Sequence, residues 1–383
     1  MPTRAFNLVF FSSLDWGHTW QRPQQLATRL GRHGRVLYVE PLGLRPPRAR
    51  DLSRALRRLS TRAPIAQPRD ATGSLEVCRA PLAYLPLPGS RLADRLNGRL
   101  LARRVQRWLR TAGGGAPILW IGVPSGGVVE AARRLPSRWL AYDCLDRFDL
   151  FHPGAAAIVR SEQTIARRAD VVFAASADLF ERMRGLNPRV RLVRNAADYS
   201  HFAAGRTAPA PEAIARLPRP IVGYVGEIAA WFDADAVSQL ARRHPSWSVV
   251  LVGPRASRAS ALPSGANVHH LGRIEYEELP RYVAHFDVCL LPFKLDALTS
   301  AVSPVKLYEY LAAGKPVVST PLKEVLPFRD LVTIADPGQL DAAVEVCLAK
   351  GADPALAPRR AAVASQNTWD HRVATILPEL VPG

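Results

Sequence analysis

The amino-acid sequence predicts an α/β protein with two doubly wound parallel sheets, and three observations indicate this fold class. The chain has 383 residues, enough for two domains of roughly 150 to 200 residues each. Short apolar runs alternate with helical patterns along both halves, which is typical of parallel sheets flanked by helices. Hydrophobic residues make up 48% and charged residues 22% of the composition, so a sizeable core is available.

The first half begins with an apolar run at 6–11, followed by a polar and aromatic loop and a helix to about Arg32. Ligands of open α/β sheets gather beyond the carboxyl ends of the strands, so this loop is a candidate site. Asp15, His18 and Arg22 are its candidate functional residues. A loop-closing Asp15, a packed His18 and an Arg22 paired with Glu40 remain the alternatives. Further strands of this half are predicted at 36–39, 118–123, 139–142, 170–175 and 190–193.

Two carboxylates, Asp143 and Asp146, follow the strand predicted at 139–142. Acids three residues apart could serve as general acid and base. Turn capping is the alternative, and the neighbouring sequence does not identify a hydroxyl or water for them to act on.

The segment 204–220 is rich in Ala, Pro and Arg without apolar periodicity, which predicts an interdomain linker. A second strand–loop–helix series starts at Ile221. Gly226 allows close approach of the backbone to a ligand, and Asp233 is the predicted N-cap of a helix through Arg243. Further strands are predicted at 248–252, 268–271, 288–292, 316–318 and 332–334.

The stretch from Ser303 to Thr320 predicts a helix followed by a buried strand. Ser303 is a favourable N-cap, Pro304 a favourable first helical residue, and Gly314 ends the helix in a left-handed conformation. The apolar stripe of this helix consists of Leu307, Tyr310 and Leu311. Lys306 and Glu309 share the opposite face near the helix start, where unpaired N–H groups attract phosphate. This pattern favours a nucleotide-sugar site, with an ordinary surface ion pair as the alternative.

The stretch 303–320 resembles the donor-site helix of retaining GT-B glycosyltransferases of the GT4 type. In that family the Glu matching Glu309 holds the ribose hydroxyls, and the Gly-Arg turn matching Gly272 and Arg273 lies by the base and phosphates. Many members carry another Glu at the position of Ala301, which leaves Asp296 or Thr299 to cover part of its role. The run from Ser12 to Leu26 resembles a bacterial subgroup linked to surface-polysaccharide and teichuronic-acid-type assembly.

The resemblance implies a GT-B glycosyltransferase that moves a sugar from a UDP- or GDP-sugar to a glycan or lipid-linked acceptor, with retention and without a metal or cofactor. The candidate donor-binding residues are Gly226, Glu227, Gly272, Arg273, Thr299, Ser303, Pro304, Val305, Lys306 and Glu309. The candidate acceptor-binding residues are Asp15, Trp16, His18, Arg22, Asp143 and Asp146. The candidate catalytic residues are Asp15, His18, Arg273 and Lys306.

The implied organisation is an acceptor-binding domain at 1–203, the linker at 204–220 and a donor-binding domain at 221–364, facing each other across a cleft. A C-terminal helix at 365–383 crosses back to the first domain. A GT-B epimerase or hydrolase acting on the nucleotide sugar, or a non-enzymatic nucleic-acid binder, are the alternative functions.

The net charge of +18 comes largely from arginine and is concentrated in early segments. Leucines recur at helical spacing among the arginines of Arg50 to Arg62, so this segment could lie on an anionic membrane surface. A solvated helix face is the alternative; nucleic-acid binding is not expected, since no aromatic-interleaved platform is present. Four scattered cysteines and the absence of a long apolar run favour a cytoplasmic protein. Contact of the basic segment with lipid would make it peripheral on the inner face of the plasma membrane.

Overall fold

A computed structural model describes residues 6–17, 19–41, 65–66, 74–79, 84–85, 87, 89–151, 155–256, 262–350 and 355–381. The chain divides into two compact units. The first unit comprises Met1–Val193 with Val373–Gly383, and the second comprises Arg194–Arg372.

The first unit contains an eight-stranded sheet in the order β3-β4-β2-β1-β5-β6-β7-β8, in which only the β3–β4 pair is antiparallel. Its strands are β1 (Asn7–Phe11), β2 (Arg35–Val39), β3 (Ile65–Ala66), β4 (Leu75–Cys78), β5 (Ile118–Ile121), β6 (Trp139–Cys144), β7 (Val171–Ala174) and β8 (Val190–Leu192). Its helices are α1 (Arg22–Leu30), α2 (Arg91–Ala112), α3 (Gly126–Ala132), α4 (Phe148–Phe151), α5 (Ala155–Arg168) and α6 (Ala177–Arg184). Strands β1 and β5 to β7 are almost wholly buried, as expected for parallel strands covered on both faces.

The second unit contains a six-stranded, wholly parallel sheet in the order β11-β10-β9-β12-β13-β14. Its strands are β9 (Ile221–Val225), β10 (Ser248–Val252), β11 (Val268–Gly272), β12 (Val288–Leu291), β13 (Val317–Ser319) and β14 (Thr333–Ile334). Its helices are α7 (Tyr199–Ala204), α8 (Glu212–Ala215), α9 (Ala234–Arg243), α10 (Leu279–His285), α11 (Val305–Ala312), α12 (Leu340–Lys350) and α13 (Leu356–Ser365). The last helix, α14 (Trp369–Leu380), begins in the second unit and ends in the first.

The boundary between the units differs from the predicted linker. The second unit begins at Arg194, and the segment 204–220 lies within it. Phe202 and Ile214 are buried in its hydrophobic core, so helices α7 and α8 are part of the second unit. The low apolar periodicity of this segment reflects helices that contribute only one or two core side chains each.

All four cysteines of the chain, Cys78, Cys144, Cys289 and Cys347, lie in the described part and are buried with free thiols. Burial raises the pKa of each thiol, that of Cys78 to about 11. Since the thiolate is the reactive form, these cysteines serve as packing residues.

No helix among the described residues combines the length and the apolarity that a membrane span requires.

Candidate functional site

Helix α11 begins at the edge of the second sheet where the parallel strands end, here called the carboxyl edge. It connects β12 to β13, which are parallel neighbours, so its first turn follows the carboxyl end of β12. The hydroxyl of Tyr310 accepts a hydrogen bond from the backbone N–H of Val225, at 2.8 Å, and is buried. This bond ties the helix to Val225, the last residue of β9.

Lys306 and Glu309 form an ion pair on the first turns of α11. Lys306 Nζ lies 2.5 Å from Glu309 Oε2, and the two side chains are 18% and 2% exposed. Glu309 is therefore buried, which does not fit the alternative of an ordinary surface ion pair. The helix is buried on nearly all sides, with Leu307, Tyr308 and Tyr310 in the core. Lys306 is the more exposed member of the pair, and its positive charge compensates the negative charge of the buried Glu309 side chain.

The prediction that Ser303 caps this helix is wrong. Pro304 occupies the N-cap position with an extended ψ of 114°, and no side chain caps the helix. Ser303 precedes a proline, which disfavours helical backbone. Its hydroxyl instead accepts a hydrogen bond from Asn195 N at 3.3 Å, and its carbonyl accepts one from Asn195 Nδ2 at 2.6 Å. Gly314 does adopt the predicted left-handed conformation, at φ 74°.

Three glycines end three neighbouring strands at the carboxyl edge of the second sheet. Gly226 and Gly253 follow β9 and β10, and Gly272 is the last residue of β11. Gly226 N donates to Val252 O, and Gly253 N donates to Gly272 O at 2.7 Å. A Cβ atom on Gly253 would lie 2.0 Å from the carbonyl oxygen of Gly226. Because glycine has no side chain, the three backbone segments lie close together. A ligand can therefore approach the backbone at this edge.

The loop after Gly226 is fixed at both ends. Ile228 N donates to Pro254 O at 3.0 Å, and Asp233 N donates to Pro292 O at 2.8 Å. Asp233 also caps α9, as predicted, by accepting a hydrogen bond from Ala236 N at 2.9 Å. Glu227 is exposed, yet surrounding protein desolvates its carboxyl group and raises its pKa. The Glu227 carboxyl group is therefore carried by a loop whose two ends are hydrogen-bonded to neighbouring segments.

Arg273 follows the last of the three glycines and is exposed. Its guanidinium lies 3.5 Å from Glu275 Oε2, with 46% and 70% of the two side chains exposed. A pair this exposed contributes little to stability, so it does not hold Arg273 in place.

Thr299 is buried, and its hydroxyl group is engaged within its own loop. Thr299 Oγ1 donates to Lys294 O at 2.6 Å and accepts from Asp296 N at 3.0 Å. Asp296 Oδ1 in turn accepts from the backbone N–H of Thr299 at 2.9 Å. The two residues shape the loop that leads to Ala301 and α11, so their polar atoms are used internally.

In the first unit, Arg22 and Asp143 form a buried ion pair. Arg22 Nη2 lies 2.7 Å from Asp143 Oδ1, its Nε lies 3.1 Å from both carboxylate oxygens, and its Nη1 donates to Val193 O at 2.8 Å. The side chains are 3% and 0% exposed. Asp143 lies within β6 and pairs with Arg22, so turn capping, the alternative for Asp143, is wrong. Both groups stabilise the carboxyl edge of the first sheet from inside, instead of facing an acceptor.

The loop between β1 and α1 is anchored to β2 and α1. Trp16 N donates to Glu40 Oε1 at 3.1 Å, and the Trp16 ring packs edge-on against Tyr38 at 5.0 Å between centroids. The carbonyl of Asp15 accepts a hydrogen bond from Gln24 Nε2 at 3.2 Å. Asp15 and Trp16 are thus half-buried in a fixed loop at the carboxyl edge. The prediction for His18 lies outside the described residues.

Asp146 lies just beyond the end of β6, three residues after the buried Asp143. Burial raises the pKa of Asp146 to about 7, although the charge of Arg22 opposes the shift; the charge of Asp143 adds to it. A carboxyl group that titrates near neutrality can both accept and donate a proton at physiological pH. The first unit therefore offers one acid suited to proton transfer at its carboxyl edge.

We expect the Asp146→Asn variant to gain stability relative to the native protein as pH rises from about 4 to about 7. The raised pKa means that native Asp146 favours the folded state only while protonated, and this contribution is lost as pH rises through the folded-state value. The asparagine does not titrate. Urea unfolding at several pH values measures the difference.

Asp149→Asn is the matched control for that series. The guanidinium of Arg147 lowers the pKa of Asp149, so its contribution is present above its unfolded pKa. The difference between this variant and the native protein should be flat from pH 5 to 8. A flat difference for Asp146→Asn as well would contradict the raised pKa.

Two groups in the second unit were not predicted from sequence. Tyr310 appeared only as an apolar stripe residue, although a buried tyrosine hydroxyl needs a partner. Arg194 pairs with the buried Glu324 at 2.6 Å, and Arg372 donates to the carbonyl of Arg194 at 3.0 Å. No local pattern indicates this second group, because its members are far apart in the chain.

No cluster of three or more His, Cys, Asp or Glu side chains that could hold a metal ion occurs in the described part of the chain.

Comparison with known proteins gives matches in sequence and in structure. Residues 219–350 match the family model of glycosyl transferases group 1. The TuaH protein of Bacillus subtilis (strain 168), assigned to teichuronic acid biosynthesis as a glycosyltransferase, is 27% identical over 251 residues. That alignment covers 60% of this chain and 63% of TuaH, so the chain matches less than two thirds of this relative.

Solved structures match nearly the whole chain. Sucrose-phosphate synthase from Thermosynechococcus elongatus aligns with a TM-score of 0.67 at 16% identity, covering 97% of each chain. HepE of Anabaena in complex with UDP-glucose aligns with a TM-score of 0.62 at 15% identity, covering 97% of this chain and 99% of its own. A trehalose-6-phosphate protein from E. coli bound with UDP-2-fluoro glucose aligns at 0.65 and 13%, covering 98% of each chain.

These matches confirm the predicted resemblance and the predicted fold class. The chain is a two-domain α/β protein of the GT-B fold, and its residues 219–350 resemble the glycosyl transferases group 1 family.

Proposed function

We propose that this protein is a glycosyltransferase that moves a sugar from a nucleotide-sugar donor to a glycan or lipid-linked acceptor. One observation carries the proposal: the Lys306–Glu309 pair lies on the first turns of α11, at the carboxyl edge of the second sheet. Ligands of open α/β sheets bind at this edge. The family match covers the same segment.

The donor would lie across the first turn of α11 and the glycines that end β9 to β11. The helix N-terminus and Lys306 would bind the pyrophosphate, and Glu309 would accept hydrogen bonds from the ribose. Lys306 would exchange its contact with Glu309 for the phosphate and so free the carboxylate. HepE and the E. coli protein hold UDP-sugars in their solved structures, which favours UDP as the nucleotide.

The chemical difficulty in glycosyl transfer is charge. When the bond between the sugar and the phosphate oxygen breaks, the nucleoside diphosphate leaves as an anion while the sugar gains positive character. Lys306 and Arg273 would stabilise the leaving group together with the α11 N-terminus, an electrostatic contribution that is often the largest in a rate enhancement. Because these groups supply the positive charge, we propose transfer that depends on neither a metal nor a cofactor. The resemblance to retaining enzymes favours retention of configuration.

The acceptor would bind at the carboxyl edge of the first sheet. Asp15, Trp16 and Asp146 remain the candidate contacts there, with His18 included from the sequence. Arg22 and Asp143 would position them from inside. TuaH is assigned to teichuronic acid biosynthesis, which favours a cell-envelope glycan as the acceptor class.

Such an acceptor fits a cytoplasmic enzyme that is peripheral on the inner face of the plasma membrane. The segment from Arg50 to Arg62 was predicted to lie on that membrane and falls outside the described residues, so it stays a proposal.

A thermal-shift screen against UDP, GDP, dTDP and ADP forms of common sugars tests the donor proposal. A ligand that binds only the folded state stabilises it by about 2.7 kcal/mol at a concentration of 100 times its Kd. We expect a rise in the melting temperature with at least one UDP-sugar, and a smaller rise with the other bases. The free sugars serve as controls.

No shift with any of the four nucleotides, in a protein shown to be folded, would contradict the proposed function.

A further inference from the structure

The outer face of helix α2 carries a continuous row of exposed arginines. Arg91, Arg95, Arg99, Arg103 and Arg107 recur at every fourth position and are all exposed, as is Arg110. The opposite face is buried, with Leu101, Val105 and Trp108 in the core of the first unit. The helix contains seven arginines and one acid, Asp94, which is turned towards Gly126. No carboxylate of this helix therefore neutralises the row.

Exposed leucines lie beside the start of this arginine row, in and just before the first turns of α2. Leu92 and Leu96 lie on α2 and are 67% and 37% exposed, and Leu87 and Leu85 just before the helix are 57% and 37% exposed. Single exposed apolar side chains are common, but four that are adjacent in the fold form a patch. The patch mixes with the start of the arginine row, since Leu92 and Leu96 alternate with Arg91, Arg95 and Arg99.

The leucine patch is held in place by the helix. The side-chain amide of Asn97, which is buried, accepts a hydrogen bond from Leu85 N at 2.9 Å and donates one to Leu85 O at 2.9 Å. Ser90 caps α2 by accepting a hydrogen bond from Ala93 N at 3.4 Å. The exposed leucines thus project from fixed backbone.

The leucine end of α2 lies at the carboxyl edge of the first sheet. Helix α2 leads from β4 to β5, which belong to the same sheet and run in the same direction, so it starts at the edge where β4 ends. The start of α3, which follows β5, lies against the start of α2, because a Cβ atom on Gly126 would lie 2.2 Å from Asp94 Oδ2. The leucine patch therefore shares an edge with Asp15 and Asp146.

We propose that the outer face of α2, together with Leu85 and Leu87, docks on an anionic lipid surface. Arginines near such a surface each contribute about 1 kcal/mol of attraction, and the leucines would enter the boundary between headgroups and acyl chains. Nucleic acid would be attracted by the arginines but gives the leucines no partner. Docking through this face would bring lipid headgroups to the edge that carries the proposed acceptor residues.

The test is cosedimentation with vesicles of equal parts phosphatidylglycerol and phosphatidylcholine, and with vesicles of pure phosphatidylcholine. The full chain should bind the anionic vesicles and not the neutral ones. The variant Arg95→Glu/Arg99→Glu/Arg103→Glu should bind the anionic vesicles at least about tenfold more weakly. The variant Leu87→Ser/Leu92→Ser should bind them about fivefold more weakly, since less apolar area enters the lipid.

Three matched variants complete the experiment. Arg216→Glu/Arg242→Glu/Arg329→Glu makes the same change of charge on exposed positions of the second unit, and Leu326→Ser/Val346→Ser removes two exposed apolar groups there. Both should bind as the native chain does. Arg54→Glu/Arg57→Glu/Arg58→Glu tests the other basic segment and should weaken binding less than the α2 variant.

The proposal fails if the second-unit or Arg54 variants lose as much binding as the α2 variant. It also fails if the leucine variant binds as the native chain does while the α2 variant loses binding to duplex DNA and to vesicles equally, because the face would then bind any polyanion. The surface is independent of the donor site, so the nucleotide-induced thermal shift should persist in the α2 variant.

Discussion

The Lys306→Ala variant is expected to consume nucleotide-sugar donor at about one hundredth of the native rate or less. Lys306 is the partly exposed cation on the first turn of α11, and we propose that it contacts the diphosphate of the leaving nucleotide. Its removal takes away stabilisation that is largest in the transition state. Release of nucleoside diphosphate in the presence of acceptor measures the loss, with circular dichroism to verify that the variant is folded.

The Arg281→Ala variant is the matched control, because Arg281 forms an ion pair at the same spacing with Glu278 on an exposed surface. It should retain full activity. The double variant Lys306→Met/Glu309→Leu separates a catalytic from a structural role. If the pair only supported the fold, this variant would recover activity, since no buried charge is left unpaired. We expect it to remain inactive, and recovery would end the donor-site assignment.

The Asp143→Ala variant is expected to lose about 3 to 5 kcal/mol of unfolding free energy. Its carboxylate is the partner of the Arg22 guanidinium, and both side chains are buried. Without it, the buried Arg22 guanidinium loses the carboxylate that its Nε and Nη2 atoms contact. Urea unfolding at neutral pH measures the change.

The Glu181→Ala variant provides the comparison, because Glu181 pairs with Arg184 while 67% and 61% of the two side chains are exposed. Its loss should stay below about 1 kcal/mol. The double variant Arg22→Met/Asp143→Leu should recover most of the stability lost by Asp143→Ala. An Asp143→Ala loss as small as that of Glu181→Ala would show that solvent reaches the Arg22 side chain.

Local signals predicted helix α11 well. The stripe of Leu307, Tyr310 and Leu311 is buried, and Gly314 adopts the expected positive φ, because helical periodicity and the left-handed preference of glycine act over a few residues. The assignment of Ser303 as the cap failed because its partner, Asn195, lies 108 residues away in sequence. A tertiary contact, and not the local sequence, therefore determines the hydrogen-bond partner of the Ser303 hydroxyl.

Long-range pairing also explains the outcome for the first unit. Arg22 and Asp143 are 121 residues apart, so no spacing pattern could join them. Both side chains are buried in this ion pair. The two candidate acceptor ligands therefore stabilise the edge on which Asp146 lies. The position of both near strand ends was nonetheless evident from the order of apolar runs, because the carboxyl ends of parallel strands share one edge.

Strand β4 and helix α2 were not predicted. The helix has a buried stripe that includes Ala93, Asn97 and Gly98, which weakens the apolar periodicity, and arginines dominate the rest of its sequence. Gly98 is required there because a Cβ atom would lie 2.5 Å from Glu130 Cβ on α3. Close packing of two helices through small residues gives little hydrophobic signal in a single sequence.

The burial of Cys78, Cys144, Cys289 and Cys347 has a practical consequence for measuring whether the protein docks on a membrane. Thiol-directed dyes react with exposed thiolates, and the native cysteines are shielded and kept protonated. A cysteine introduced at an outward-facing position such as Leu92 can thus be labelled without first removing the others. A polarity-sensitive fluorophore at that position would then report contact with a lipid bilayer directly, in a chain that is otherwise native.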